Sequence, residues 1–213
     1  MVSAAKLKGD EGRRAASIPF NEWTMKLWCS QPEQMDPMKT TYEYLPQRTL
    51  IVPFTSDKGL CGGVNSFVTR GVKNMVKKLA AQNKECDIVV IGDKGRAQLR
   101  RDLAKSIVRS ATDVVAPGTF TLASALTHEL MAAGAEDYDA IVLVYNSFKN
   151  AATYFQMYKV IKPFVVESET VEDEPLADYE FDGDKGELME DMYEYMVASQ
   201  IFHSFMDSAT AEQ

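Results

Sequence analysis

The segment Thr55-Ser-Asp-Lys-Gly-Leu-Cys-Gly-Gly63 holds the residue types best suited to chemistry in this chain. A glycine-rich turn between a strand and a helix can present backbone N–H groups to a phosphate. Gly62 and Gly63 could do this for an anion. The spacing lacks the Gly-Lys-Ser/Thr ending of a P-loop, and it is not G-x-G-x-x-G. The competing reading, favoured by the missing phosphate-gripping lysine position, is a tight turn whose glycines allow positive φ or close packing. Cys61 stands three residues from Lys58, whose charge would lower a thiol pKa. No histidine lies nearby in sequence to act as its base, so a packed small thiol is the simpler reading. Gly92-Asp-Lys-Gly95 also follows an apolar run and reads as a turn.

Other constellations are incomplete. His128 and His203 are the two histidines; H-E-x-x-H fails because position 132 is Ala, and G-x-S-x-G is absent. The acidic run 167–174 lacks EF-hand spacing and its central glycine. Cys29, Cys61 and Cys86 are too far apart for a zinc set and odd in number for a disulfide framework, which suits a reducing compartment. We expect no cofactor and no metal. The absence of a catalytic set weighs only lightly against an enzyme, because sites assemble from distant residues. A basic helix is the stronger lead. Arg70, Lys73 and Lys77 share one face, preceded by Lys58, while Val64, Val68, Val72, Met75 and Leu79 form the opposite stripe. Such a face is either solvated or docks an acidic partner. No aromatic residues interleave with the lysines, so nucleic acid is not expected.

The elements that would position these residues follow from periodicity. Thr49–Phe54, Cys86–Gly92 and Tyr138–Tyr145 read as buried strands of a helix-covered parallel sheet. Val64–Gln82, Lys94–Lys105 and Phe120–Ala133 read as helices, the last capped by Thr119. Asn146–Asn150 reads as a turn, leading to an alternating antiparallel strand over Thr153–Ile161. Residues 1–17 read as helix, Pro19 as a break or new start, Asn21–Cys29 as a short amphipathic segment, and 31–46 as a connector. Residues 167–187 are acidic and read as a mobile stretch. In the last segment Leu188, Met192, Tyr195, Ser199, Phe202 and Met206 repeat as a heptad seam. Met189, Tyr193, Val197, Ile201 and Phe205 make a second stripe. A helix apolar on two sides needs two partners, and the first helix is the obvious second one. Neither end carries a helix stop signal, so both read as cuts through longer helices.

Composition narrows the class. The 213 residues are 46% apolar and 25% charged, enough for one sizeable core with appended helices. No apolar stretch is long enough to span a bilayer, so any membrane link comes through partners. The opening residues carry no apolar signal-peptide core. The net charge is −8, but it is uneven. Residues 68–109 hold eleven Lys/Arg against four acids, and 167–194 hold thirteen acids against one Lys. These are either solvated faces or docking surfaces for partners of opposite charge.

Thr-Ser-Asp-Lys-Gly-Leu-Cys-Gly-Gly directly after an apolar strand closely resembles the signature loop of the gamma subunit of F-type ATP synthases. Met1-Val-Ser-Ala-Ala-Lys6, Ile91-Gly-Asp-Lys-Gly95, Asp139-Ala-Ile-Val-Leu-Val-Tyr-Asn-Ser-Phe148 and Ser208-Ala-Thr-Ala-Glu-Gln213 resemble further family segments in the same order. The likeness is weakest between residues 9 and 46. It implies an α/β fold: a Rossmann-like sheet domain over 47–166, plus an antiparallel coiled coil of N- and C-terminal helices, over 1–30 and 184–213. It also implies a rotor subunit of the central stalk with no active site of its own. Its turning would couple rotation of the membrane c-ring to ATP synthesis and hydrolysis in the ring of alpha and beta subunits. Epsilon/delta-type small subunits would be further partners.

Carried over residue by residue, the resemblance makes Ser56, Asp57, Gly59, Leu60, Cys61, Gly62 and Gly63 the signature loop. Lys58, Arg70, Lys73 and, by its place on the same helix face, Lys77 become contacts to acidic loops of the beta subunits. Exposed pairs of this kind are each worth only ~0–1 kcal/mol, which suits a sliding contact. The outer parts of both helices that the family possesses are missing from this sequence. Tyr193-Glu-Tyr-Met-Val-Ala-Ser-Gln-Ile-Phe-His203 looks mitochondrial, which implies the matrix face of the inner membrane, with the bacterial cytoplasmic face as the alternative. Two rival readings stand beside this one: a free-standing Rossmann-like nucleotide-binding enzyme using loop 55–63, and a basic-patch scaffold for another acidic partner.

Overall fold

The computed structural model describes residues 2–59, 63–114, 118–164, 176 and 179–212, with backbone alone at 2–4 and 20. In chain order the elements are α1 (Val2–Trp28), β1 (Glu33–Gln34), β2 (Arg48–Pro53), α2 (Val64–Ala81), β3 (Glu85–Ile91), α3 (Asp93–Leu103), β4 (Ile107–Ala111), α4 (Phe120–Ala132), a 3-10 turn (Ala135–Asp137), β5 (Ala140–Asn150), β6 (Thr153–Ile161) and α5 (Lys185–Glu212). One sheet runs in the order β1-β6-β5-β2-β3-β4. β2, β3, β4 and β5 are mutually parallel, while β6 returns antiparallel beside β5 and β1 pairs antiparallel with β6.

The apolar runs of β2 and β5 are central strands, and alternate residues feed two separate cores. Leu50, Val52, Leu143 and Tyr145 point to the face covered by α4 and α5, where they meet Trp28, Tyr193, Val197, Ile201 and Phe205. Ile51, Val142 and Val144 point to the face covered by α2 and α3, against Val68, Val72, Met75, Leu79 and Leu99. α1 and α5 pack antiparallel, so the molecule is an α/β sheet domain joined to a pair of terminal helices.

Four local expectations differ from the structure. α1 continues through Pro19. Proline costs a helix its own N–H bond to residue i−4, but Ala15 and Pro19 both lie on the exposed side, where water reaches the orphaned carbonyl. Asn146–Asn150 is not a turn: it extends β5, because register with β6 persists from Asn146↔Gln156 to Asn150↔Thr153. The short edge strand β4 has no apolar periodicity to announce it, since three of its five residues are exposed. The stretch 31–46 does more than connect, because Met35, Tyr42 and Leu45 are buried in the second core. The acidic segment anticipated as mobile over 167–187 lies mostly outside the described residues. Thr119 caps α4 by accepting the Leu122 N–H at 3.2 Å.

Candidate functional site

The loop after β2 is wired into the two strand ends beside it. The Thr55 hydroxyl donates to the Ile91 carbonyl at 2.6 Å and accepts the Gly95 N–H at 3.1 Å. The Ser56 N–H donates to Asn65 Oδ1 at 2.9 Å, and Asn65 Nδ2 donates back to Ser56 Oγ at 3.0 Å. The two oxygens of Asp57 accept the N–H groups of Asp93 and Val114, each at 2.6 Å. One carboxylate therefore caps the start of α3 and ties down the chain that leaves β4. The stretch 92–95, expected to be a simple turn, is instead the cap and first turn of α3, and its two glycines let this happen. Gly92 has φ +96°, and a Cβ there would sit 2.2 Å from the Thr55 carbonyl oxygen; one on Gly95 would sit 2.3 Å from Thr55 Oγ1. Lys58 and Gly59 are exposed, and Gly63 begins α2 without a side-chain cap. Leu60, Cys61 and Gly62 lie outside the described residues.

The crevice beside this loop is where an open α/β sheet usually binds its ligand. Strand order reverses between β2 and β5, and ligands of such sheets sit at the carboxyl ends of the strands at that reversal. Here α5 fills the place. Phe205 packs edge-on against Phe54 with ring centroids 5.1 Å apart, and Ser208, Ala209 and Glu212 close over the loop. The space left is about 40 Å³. That is room for water, whereas organic ligands occupy ~300–1,000 Å³ pockets. Asn146 Oδ1 and Ser208 Oγ, both lining it, find no protein partner, so water is the natural tenant. A nucleotide does not fit unless α5 leaves.

α5 reaches that position through a seam with α1 whose chemistry is mostly polar. Asp10, Arg14, Ser17, Asn21, Thr24 and Trp28 follow one another at heptad spacing along α1. Arg14 pairs with Asp207, the Ser17 hydroxyl lies 3.3 Å from His203 Nδ1, and Thr210 Oγ1 lies 3.5 Å from the Asp10 carbonyl. Gln200 Nε2 donates to Thr24 Oγ1 at 2.9 Å, and Trp28 meets Tyr193 edge-on at 5.4 Å. As the α1 number rises the α5 number falls, which makes the pair antiparallel. Beneath the seam, Lys159 of β6 donates to Gln200 Oε1 at 2.5 Å. Burial pushes the Lys159 pKa down to about 8, against an opposing electrostatic pull from Cys29 and Asp207. Burial, then the Lys159 charge, push His203 down to about 4. Burial raises the Cys29 thiol to about 12; that thiol points at Met196 Sδ, 3.2 Å away.

The residues singled out in the sequence take these places. Tyr195 stacks on Trp23 of α1 with centroids 5.8 Å apart and also meets Phe120 of α4. Phe202 packs edge-on against Phe120. Leu188 and Met192 are half-buried. Ser199 is buried with its hydroxyl on the Tyr195 carbonyl, and buried Met206 borders a groove shared with Arg13 and Phe120. That stripe lies toward α4, while the polar residues just described make most of the contact with α1. The second stripe, from Met189 to Phe205, faces the sheet. An apolar search overlooks the polar seam, although its 4-3 spacing is readable in both helices.

On α2, Arg70 and Lys77 are exposed, and the Arg70 guanidinium lies 5.9 Å from the Phe67 ring centre. Lys73 is half-buried and pairs with Asp102 of α3, whose pKa its hydrogen bond lowers. The structure thus spends Lys73 on joining two helices and leaves Arg70 and Lys77 facing outward. Among the described residues no cluster of three or more His, Cys, Asp or Glu is placed to hold a metal ion, and no helix is long and apolar enough to cross a membrane.

Comparison with known proteins agrees with this geometry. The family model described as ATP synthase matches residues 1–213. The chain is 29% identical to the ATP synthase gamma chain of Paramagnetospirillum magneticum, over all of this chain and 76% of that one. It is 31% identical to the gamma chain of Erythrobacter litoralis, over all of this chain and 75% of that one. Among solved structures, the central stalk and c-ring assembly of the Tetrahymena thermophila mitochondrial ATP synthase contains a chain with TM-score 0.65 and 26% identity, covering 100% of this chain and 91% of that one. A chain from the rotor of the Euglena gracilis mitochondrial ATP synthase has TM-score 0.58 at 17% identity, covering 98% of this chain and 84% of that one; at that identity it speaks for the fold alone.

Proposed function

The chain belongs to the gamma family of ATP synthase subunits, and from that premise we propose a division of labour in which the α1–α5 pair is the shaft and the sheet domain is its foot. The protein is a non-catalytic, central-stalk rotor subunit of an F-type ATP synthase. It couples turning of the proton-driven c-ring to ATP synthesis and hydrolysis in the alpha and beta subunits. Its partners are that catalytic ring, the small stalk subunits of epsilon/delta type and the c-ring, and it meets the membrane only through them.

The observation that carries the mechanism is the closure of the switch-point crevice by α5. A shaft must resist twisting against its foot. Here the C-terminal helix is set into the sheet domain where a related enzyme fold would hold substrate, with Phe205 against Phe54. The signature loop then braces the strand ends beside that helix through Thr55, Ser56 and Asp57. A native mass spectrum of the complex purified under mild conditions tests the reading. One copy with three copies each of two larger chains is the expected result. A lone chain carrying nucleotide would overturn it.

Finer assignments follow as part of the same proposal. Segments 1–30 and 184–213 form the shaft and 47–166 the foot. Lys58, Arg70, Lys73 and Lys77 face acidic loops of the beta subunits; the exposure of Arg70 and Lys77 supports this, and Lys73 contributes through its hold on α3. Location at the matrix face of the mitochondrial inner membrane is supported by the Tyr193–His203 segment and by mitochondrial relatives, such as the Arabidopsis thaliana subunit at 28% identity. Fractionation of the source cells decides between this and a bacterial membrane.

A further inference from the structure

Lys159 is a buried charge for which a rotor subunit has no evident use. It lies on β6 with none of its surface exposed. Its ammonium meets an amide rather than a carboxylate: Lys159 Nζ donates to Gln200 Oε1 at 2.5 Å, and Gln200 Nε2 donates to Thr24 Oγ1 at 2.9 Å. Two hydrogen bonds thus cross three elements, from the sheet through α5 to α1. Asp207 and His203 from α5 and Cys29 just beyond α1 interact electrostatically with the ammonium, while Arg14 of α1 acts on His203 and Lys162, just beyond β6, acts on Cys29.

As adhesive this is a poor arrangement. A buried cation pays heavily for leaving water, and a well-packed apolar residue often holds at least as well. Its value lies in geometry. The Gln200 amide is used at both ends, so α5 cannot slide or roll without breaking a buried bond. A slip along the seam by one turn toward Met196 would put a weak thioether acceptor opposite the ammonium, and a slip the other way would bring up His203, whose Nδ1 would have to leave the Ser17 hydroxyl 3.3 Å away. A polar residue inside an otherwise packed seam is a known way to specify register.

We propose that Lys159 is a positioning residue, the pin that holds α1 and α5 in one register on the sheet so that torque passes between shaft and foot without slip. This rests on the rotor reading. Because burial brings its pKa down to about 8, the bond to Gln200 changes in mildly alkaline conditions from a charge-assisted one to a weaker neutral one.

The test uses the assembled ATP synthase in closed vesicles, comparing wild type, Lys159→Met and the apolar pair Lys159→Met/Gln200→Leu. The readout is protons pumped per ATP hydrolysed between pH 7 and 9. With the chain present at normal stoichiometry, the variants should hydrolyse ATP at close to the wild-type rate but pump at least about threefold less per ATP. Wild-type coupling should fall toward pH 9, and the variants' coupling should be flat. The double variant keeps the test open if the single one folds poorly. Wild-type coupling and an unchanged pH profile in complexes that contain either variant would overturn the pin and leave the rotor reading intact. Absence of alpha and beta subunits from the wild-type preparation would instead remove the reading on which the pin rests.

Discussion

The sheet core and the α1–α5 seam are both buried, yet they are built from opposite chemistry. Ile51, Val142, Val144, Val68 and Leu79 meet as pure hydrocarbon on one face of the sheet. Along the seam, Asp10, Arg14, Ser17, Thr24, Gln200, His203 and Asp207 are set among a few aromatic and sulfur-bearing neighbours. Apolar burial is strong and non-directional, so the core supplies adhesion and tolerates small shifts. Hydrogen bonds are weaker in net terms but strict in direction, and they are costly when broken inside a protein. The difference teaches that the sheet domain is built to stay folded and the α1–α5 pair to stay aligned.

The largest effect expected from this contrast is in the core. Leu143→Ala removes a fully buried side chain from the central strand β5. It should lower stability by about 2–5 kcal/mol, read from the urea midpoint. Asp57→Ala should come next, because it strips the partner from two backbone N–H groups at once. A loss of about 1–3 kcal/mol is expected, with faster amide exchange at Asp93 and Val114. A loss as large as that of Leu143→Ala would mean that the loop, not the core, holds the sheet domain together.

His203 sharpens the contrast through pH. Its folded pKa of about 4 lies below the ordinary value of 6.5. Between those values the unfolded chain takes up the proton first, so stability is lost as pH falls from 6.5 toward 4. At about 1.4 kcal/mol per pKa unit, the contribution is at most on the order of 3 kcal/mol. Thermal melts of His203→Gln should show a shallower loss over that window. An identical slope in both proteins would show that the seam is not the acid-sensitive region. The smallest effect is expected at the surface. Arg70→Ala with Lys77→Ala should change stability by less than ~1 kcal/mol while making turnover of the assembled enzyme less sensitive to salt.

Legibility followed the same divide. The buried strands and α2 were readable because hydrophobic periodicity is the signal that burial leaves in a sequence. β4 was not, since an edge strand of exposed residues leaves no such trace. Asn146–Asn150 carries turn residues but is held as strand by register with β6, a tertiary effect. Pro19 misled because local rules assign a break where packing against α5 keeps the helix going. At the candidate site the loop motif was visible, but Asp57 as the brace of two other strand ends depends on residues 36 and 57 positions away. The apolar stripe from Leu188 to Met206 is legible in the sequence, whereas the polar seam is not, because Gln200, His203 and Asp207 look like surface residues until α1 covers them.

A cryo-EM map of the purified complex tests the rotor geometry most directly. The α1–α5 pair should lie along the central axis of a ring of three alpha and three beta subunits, with the sheet domain outside the ring toward the membrane and the Lys159–Gln200–Thr24 bonds intact. A map that places the helix pair away from that axis, or that shows α5 lifted from the sheet with nucleotide at the signature loop, would contradict it.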